Sequence, residues 1–238
     1  MKFKVLVLAV FLLAAVSVAS ADTTTLTFNG AAGNNLGGVY VYPYDFTVNG
    51  HTSVNVPMIC DDYWDEVTNG ETWVANISTI SDLANVYFLK GNASQAQTYE
   101  EAAYLADLIF HGSLTSTQVA DANWAIWEIF DPTFSPNGTG TGSYYKNLGS
   151  GDLQAITGYV NQAASNYTSG GSYPDIMIFT ATGCTYLDYS TSCDGNSSAP
   201  QEFFVDPVTL PAPEPGVLLL LALGLCSIVA FRRRFGLV

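Results

Sequence analysis

Val39-Tyr40-Val41-Tyr42-Pro43-Tyr44-Asp45-Phe46-Thr47-Val48 decides the fold class. Tyr40, Tyr42, Tyr44 and Phe46 recur at every second position, the period of a strand with one buried face. Asn49-Gly50 follows, a pair that accepts positive φ and closes hairpins, and Thr52 to Cys60 reads as the returning strand. Thr23 to Phe28 alternates in the same way. The Gly-Asn run from Gly30 to Gly38 is a loop, and Thr72 to Thr79 reads as a further strand after the Asn69-Gly70 turn.

Beyond residue 90 the period changes. Thr98-Tyr99-Glu100-Glu101 has the form of a capping box, with Thr98 as the cap and Glu101 reaching back. Tyr99, Ala102, Ala106, Ile109 and Phe110 follow at helical spacing, and Gly112 ends the helix. A second helix starts at Thr115 or Ser116. Its apolar face is Val119, Ala122, Ile126, Trp127 and Phe130, and Pro132 stops it. Asp152 to Tyr167 reads as a third helix, Ile176 to Ala181 and Glu202 to Val205 as closing strands. Strands before and after a helical middle predict an α+β domain, an antiparallel β-sandwich or barrel with a helical insertion.

The two ends of the chain carry different signals. Lys2 and Lys4, the apolar run Val5 to Val16 and the small residues Ala19-Ser20-Ala21 form a signal peptide, residues 1–21, cleaved between Ala21 and Asp22. Residues 22–209 are then a secreted ectodomain. In residues 210–238, Pro213-Glu214-Pro215 precedes an apolar helix over 216–231, which ends in Arg232-Arg233-Arg234. That helix is about 24 Å long, short of the roughly 30 Å of a bilayer core. The arginines hold its end in the cytoplasm, so it serves as a single membrane anchor of a transient kind.

This order of parts resembles the PEP-CTERM sorting signal of exported bacterial proteins. The Thr-Gly of a Gram-positive sortase signal is missing after Leu210-Pro211, and a GPI signal would lack the arginines. The resemblance implies signal peptidase and an exosortase-type transpeptidase as partners. It also implies transient inner-membrane retention followed by release to the cell surface or the exopolysaccharide matrix.

Charge narrows the remaining functions. The chain has 7 Lys and Arg against 21 Asp and Glu, a net charge of −14. Outside the two ends only Lys90 and Lys146 are basic. Such a surface repels nucleic acid and anionic membranes. Cys184 and Cys193 flank a short polar loop and are the natural disulfide in an oxidising compartment. Cys226 lies in the apolar tail, which leaves Cys60 in the ectodomain, as a buried thiol, an intermolecular disulfide or a thioester.

Enzyme signatures are absent: there is no Gly-x-Ser-x-Gly, P-loop, His-Glu-x-x-His or Cys-x-x-Cys. His51 beside a turn and His111 at a helix end read as structural. The reading is of a non-enzymatic surface protein without cofactor or metal, although a hydrolase with a carboxylate pair would leave no spacing to detect. Cys60-Asp61-Asp62-Tyr63-Trp64-Asp65-Glu66 is unusual. It reads as a solvated acidic turn, because the Asp-x-Asp-x-Asp-Gly spacing of a Ca²⁺ loop is missing. Asn76, Asn92, Asn137, Asn166 and Asn196 head Asn-x-Ser/Thr sequons, read as exposed loops.

Cys60-x-Asp62, taken together with Ala125-Ile126-Trp127, resembles the thioester domains of bacterial surface adhesins. In that family a Cys bonds to a Gln near an Ala-Ile-Trp helix. The resemblance implies a surface adhesin and makes Cys60 and Asn123 the possible thioester pair. Asn123 stands where the Gln would be and is one methylene shorter. A hydrogen-bonding role at a strand edge or on the acidic loop is the alternative for Asn123. An adhesin of this kind could instead bind carbohydrate, with surface polysaccharide as the partner of exposed Tyr and Trp near carboxylates.

Terminal sequencing of the exported form is expected to find Asp22 first and to find Arg232 to Arg234 gone. Glu214→Ala should leave export intact and hold the protein in the membrane. An N-terminus at Met1, or a surface form that keeps the arginines, would refute this.

Overall fold

The computed structural model describes residues 23–49, 55–87, 94–131, 147–170, 173–187, 190–193 and 200–210. The signal peptide, the segment from 211 to 238 and His51 lie outside the described residues, as do Asn92, Asn137 and Asn196. No helix among the described residues is long and apolar enough to cross a membrane.

Six strands close a barrel. They are β1 (Thr23–Ala31), β4 (Tyr44–Val48), β5 (Val56–Cys60), β10 (Phe203–Val205), β7 (Met177–Ala181) and β6 (Thr72–Thr79), in that spatial order. Every neighbouring pair is antiparallel, and β6 returns to β1. Closure leaves no unpaired sheet edge. Two small hairpins stand apart: β2 (Asn35–Leu36) with β3 (Val39–Tyr40), and β8 (Cys184–Leu187) with β9 (Ser190–Cys193). The register of the second sets Cys184 directly opposite Cys193. Backbone opposition of this kind is what a bond between the two would require.

The helices α1 (Ser94–His111), α2 (Ser116–Phe130) and α3 (Ser150–Asn166) pack on one another beside the barrel. Thr115 caps α2, and Gln118 closes its capping box by accepting the Thr115 amide at 2.9 Å. Gly112 ends α1 because a Cβ there would lie 2.2 Å from the Leu108 carbonyl oxygen.

The short strand β10 shows why the core holds together. Its three residues are all buried. Phe203 points into the barrel, where its ring lies 4.7 Å from that of Phe46 and 5.7 Å from that of Tyr44. Phe204 faces the other way, against Tyr99 of α1 and Phe130 of α2. A strand covered on both faces loses the alternation of a half-exposed one. Leu26, Phe46, Met58 and Phe179 complete a barrel interior closed to solvent.

Four expectations are corrected. The single strand over 39–48 divides into β3 and β4, because Pro43 has no N–H to give to a ladder. The return after Asn49 (φ 52°) begins only at Val56, so the connection is longer than a two-residue turn. Helix α1 starts at Ser94, which places Thr98 inside it rather than at its cap. Asn76 is half-buried within β6 and not in a loop, whereas Asn166 is exposed at the end of α3.

Replacing Phe203 by Ala should cost about 3–5 kcal/mol, the range for deleting a buried ring. Urea unfolding with an unchanged slope would read this out. A loss below about 1 kcal/mol would mean that the ring does not fill the barrel centre.

Candidate functional site

The sequence pair Cys60 and Asn123 meets where β5 leaves the barrel. Helix α2 is buried all round from Ala120 to Glu128, so each polar atom on it needs a partner. Asn123 is fully buried. Its Nδ2 donates to the Cys60 carbonyl oxygen at 3.0 Å, and its Oδ1 accepts the Tyr42 backbone N–H at 2.8 Å. Trp127 Nε1, one turn further on, donates to the same Cys60 carbonyl at 3.0 Å. Asn123 thus brackets the segment leading into β4 and the end of β5. Gln118, eight residues before Ile126, is spent on the α2 cap and lies exposed.

The Cys60 thiol is equally committed. It is wholly buried and donates to the Asp62 carbonyl at 2.9 Å. Burial pushes its pKa well above the ordinary thiol value, and the charges of Asp62 and Asp61 add to the effect. The thiolate, the reactive form, is therefore suppressed. Cys60 is the free cysteine among the described residues.

The acidic turn is not solvated, which corrects the sequence reading. Asp61 and Asp62 are 1% and 2% exposed, Asp65 is buried, and Glu66 alone of the four is exposed. The cause is the chain segment before β10, which folds over them. Gln201 donates to the Asp62 carbonyl at 2.8 Å, and the Asp61 amide donates to the Glu202 carbonyl at 3.2 Å. Buried carboxylates need a compensating donor or a proton.

Glu202 was legible only as the first residue of a closing strand, yet it is the hub of this region. It is fully buried and accepts hydrogen bonds from the Tyr87 amide at 3.0 Å, the Tyr99 hydroxyl and the Thr180 hydroxyl. Asp61 is buried nearby, and neither of its carboxyl oxygens has a hydrogen-bond partner among the described residues. Desolvation, followed by the Glu202 charge, pushes the Asp61 pKa well up, and desolvation raises that of Glu202 as well. Desolvation and then the charge of Asp65 do the same to Asp62. Asp62 Oδ1 meanwhile accepts the Trp64 amide at 3.0 Å, which shapes the turn. Among the described residues, no group of three or more His, Cys, Asp or Glu is placed to hold a metal ion.

His111 behaves as the helix-end reading expected. Its Nδ1 lies 2.9 Å from Asp107 Oδ1 and its Nε2 lies 3.3 Å from Asp206 Oδ2. The bond to Asp107 raises its pKa above the ordinary value, and it ties the end of α1 to the segment after β10.

Above the turn opens a groove of about 940 Å³. Tyr40, Tyr63, Trp64, Asp65, Glu66 and Gln201 are among its lining. Tyr40 is 57% exposed and Trp64 is 40% exposed. Trp64 is held in place: its Nε1 donates to Asp131 Oδ2 at 2.9 Å, and Tyr63 packs edge-on against it at 5.4 Å. Tyr63 rests in turn on Trp127 at 5.3 Å and Trp124 at 5.7 Å.

No family model matches the chain, and no curated protein matches it. Two solved structures are similar. One is the N-terminal domain of the Streptococcus pyogenes pilus tip adhesin Cpa, at 12% identity and a TM-score of 0.43, which covers 79% of this chain and 95% of that one. The other is the N-terminal thioester domain of the fibronectin-binding protein SfbI from Streptococcus pyogenes. It is 13% identical with a TM-score of 0.40, and covers 82% of this chain and 97% of that one.

The buried acids set the pH response. Asp61, Asp62 and Glu202 have raised pKa values in the fold, and Asp121 on α2 is pushed up to about 6 by desolvation and by Asp152. Raised acids stabilise the fold fully below their unfolded values near 4, and that contribution is lost as pH rises through the folded values. Melting temperature should therefore be highest at acidic pH and fall as pH rises from about 4 through about 6, where Asp121 titrates in the fold. Asp61→Asn removes one of these buried titrating groups and leaves a neutral amide that never ionises. It should flatten the fall and gain roughly 1 kcal/mol at the alkaline end. Parallel curves for the two proteins would show that the buried Asp61 does not contribute to the pH response.

Proposed function

We propose that this chain is an exported, non-catalytic surface protein whose barrel-and-helix domain binds its ligand without covalent chemistry, in the groove beneath Tyr40 and Trp64. The signal peptide over 1–21 and the sorting segment over 210–238 supply the address in this reading. Signal peptidase and an exosortase-type transpeptidase are the processing partners, and a Cys184–Cys193 disulfide pins the β8–β9 hairpin.

One observation carries the choice of a binding function: the reactive groups next to the groove are already engaged. The Cys60 thiol is buried against the Asp62 carbonyl, and the Asn123 carboxamide is bonded at both ends to backbone. The Asp61–Glu202 carboxyl pair is sealed from solvent, so a substrate has no route to it. An aromatic, partly acidic surface is what remains open.

The second reading is a thioester adhesin, favoured by the contact of Asn123 with Cys60. In that reaction the Cys60 sulfur attacks the Asn123 side-chain carbonyl, the C–N bond breaks, and the nitrogen leaves as ammonia with the thiol proton. A single mass measurement separates the two. The purified chain should show no deficit of one ammonia, no methylamine adduct, and alkylation of Cys60 only after denaturation. A deficit abolished by Cys60→Ala or Asn123→Ala would replace the first reading with the second.

A further inference from the structure

We propose that the groove binds a segment of an uncharged polysaccharide chain, whose sugar rings stack on Trp64 and Tyr40. The inference rests on the noncovalent reading above. Its first support is the shape and lining of the site. Ligand pockets run from about 300 to 1,000 Å³, so a groove of about 940 Å³ open to solvent suits several linked units better than a single small molecule. Exposed aromatic rings beside hydrogen-bonding side chains match a ligand with an apolar C–H face and a polar rim, as a pyranose ring has.

The second support is preorganisation. An exposed indole would ordinarily lose rotamer freedom on binding. Here the bond to Asp131 and the edge-on contact of Tyr63 have already fixed Trp64. The position is thus that of a platform, the arrangement that proteins use for sequence-tolerant stacking on flat rings.

The third support is charge. Asp65 and Glu66 line the groove and, among the described residues, no Lys or Arg does. Carboxylates accept hydrogen bonds from pairs of hydroxyl groups and repel uronates and sulfates. The −14 charge of the chain acts in the same direction. An anionic glycan is thereby excluded, as is nucleic acid, and an uncharged chain is accepted.

The test uses the full chain in a detergent that carries no sugar. Tryptophan emission is titrated with hexasaccharides of neutral glucose and mannose, with a de-N-acetylated glucosamine hexamer, and with a uronate hexamer. At least one neutral hexamer should saturate, with an affinity unchanged between about 50 and 500 mM salt, and the uronate should not bind. Tyr40→Ala should weaken binding at least tenfold, about 1.4 kcal/mol, and Trp64→Phe should keep most of it. Trp64→Ala also removes the Asp131 bond, so Tyr40→Ala is the deciding variant. Binding of the amino sugar alone, lost in salt, would replace the proposal with a cation site of the aromatic-cage kind. Full affinity in Tyr40→Ala would overturn the stacking. A chain of full mass that no neutral hexamer titrates defeats the glycan assignment alone, whereas a mass deficit of one ammonia defeats the reading beneath it.

Discussion

A helix with no exposed face through its middle imposes the main constraint on this molecule. From Ala120 to Glu128, α2 lies between the barrel and its two neighbouring helices. A buried amide without partners costs about 1–3 kcal/mol, so Asn123 at the centre must be satisfied by something outside the helix. The satisfying groups are the Cys60 carbonyl and the Tyr42 amide. Both belong to barrel strands or the segment that feeds them, so one side chain fixes the height and rotation of the helix against the sheet. Trp127 repeats the anchor one turn on.

The second layer of polar bonding follows from where that anchor sits. Once Cys60 is tied down, Asp61 and Asp62 must turn beneath the segment before β10. Glu202 then enters the space between barrel wall and α1. Its acceptors are filled from three separate elements, through Tyr87, Tyr99 and Thr180. Networks of this kind specify one arrangement, because a partly satisfied version is worse than none. The same region makes the fold sensitive to proton concentration, since Asp61 and Glu202 are buried carboxyl groups with raised pKa values.

The groove is the outward side of that arrangement. The turn that buries Asp61 and Asp62 lifts Trp64 and Glu66 to the surface, and Asp131 at the end of α2 receives the indole N–H. Rigid elements on both sides hold the exposed rings in one orientation, which favours recognition by lowering the ordering cost on binding. The interior chemistry and the exposed surface are therefore two faces of one turn.

The sequence by itself determined the elements and their class. Alternation marked Thr23–Phe28, the Asn69-Gly70 turn placed Thr72–Thr79, Thr115 marked the start of α2, Gly112 marked the end of α1, and the closing strands read over Ile176–Ala181 and Glu202–Val205 lie at Met177–Ala181 and Phe203–Val205. The proximity of Cys60 and Asn123 was expected only through the resemblance to thioester domains, and the structure joins them by a hydrogen bond from the Asn123 carboxamide to the Cys60 carbonyl. Only the tertiary structure decided barrel over sandwich, since strand order depends on pairings between residues far apart in the chain, such as Phe203 with Cys60 and Thr23 of β1 with Asn76 of β6. It also decided that the acidic turn is buried and that Glu202 is its hub. Local sequence records the charge of a residue, but its burial is set by distant segments that fold over it, and these carboxylates are covered by chain from beyond residue 199.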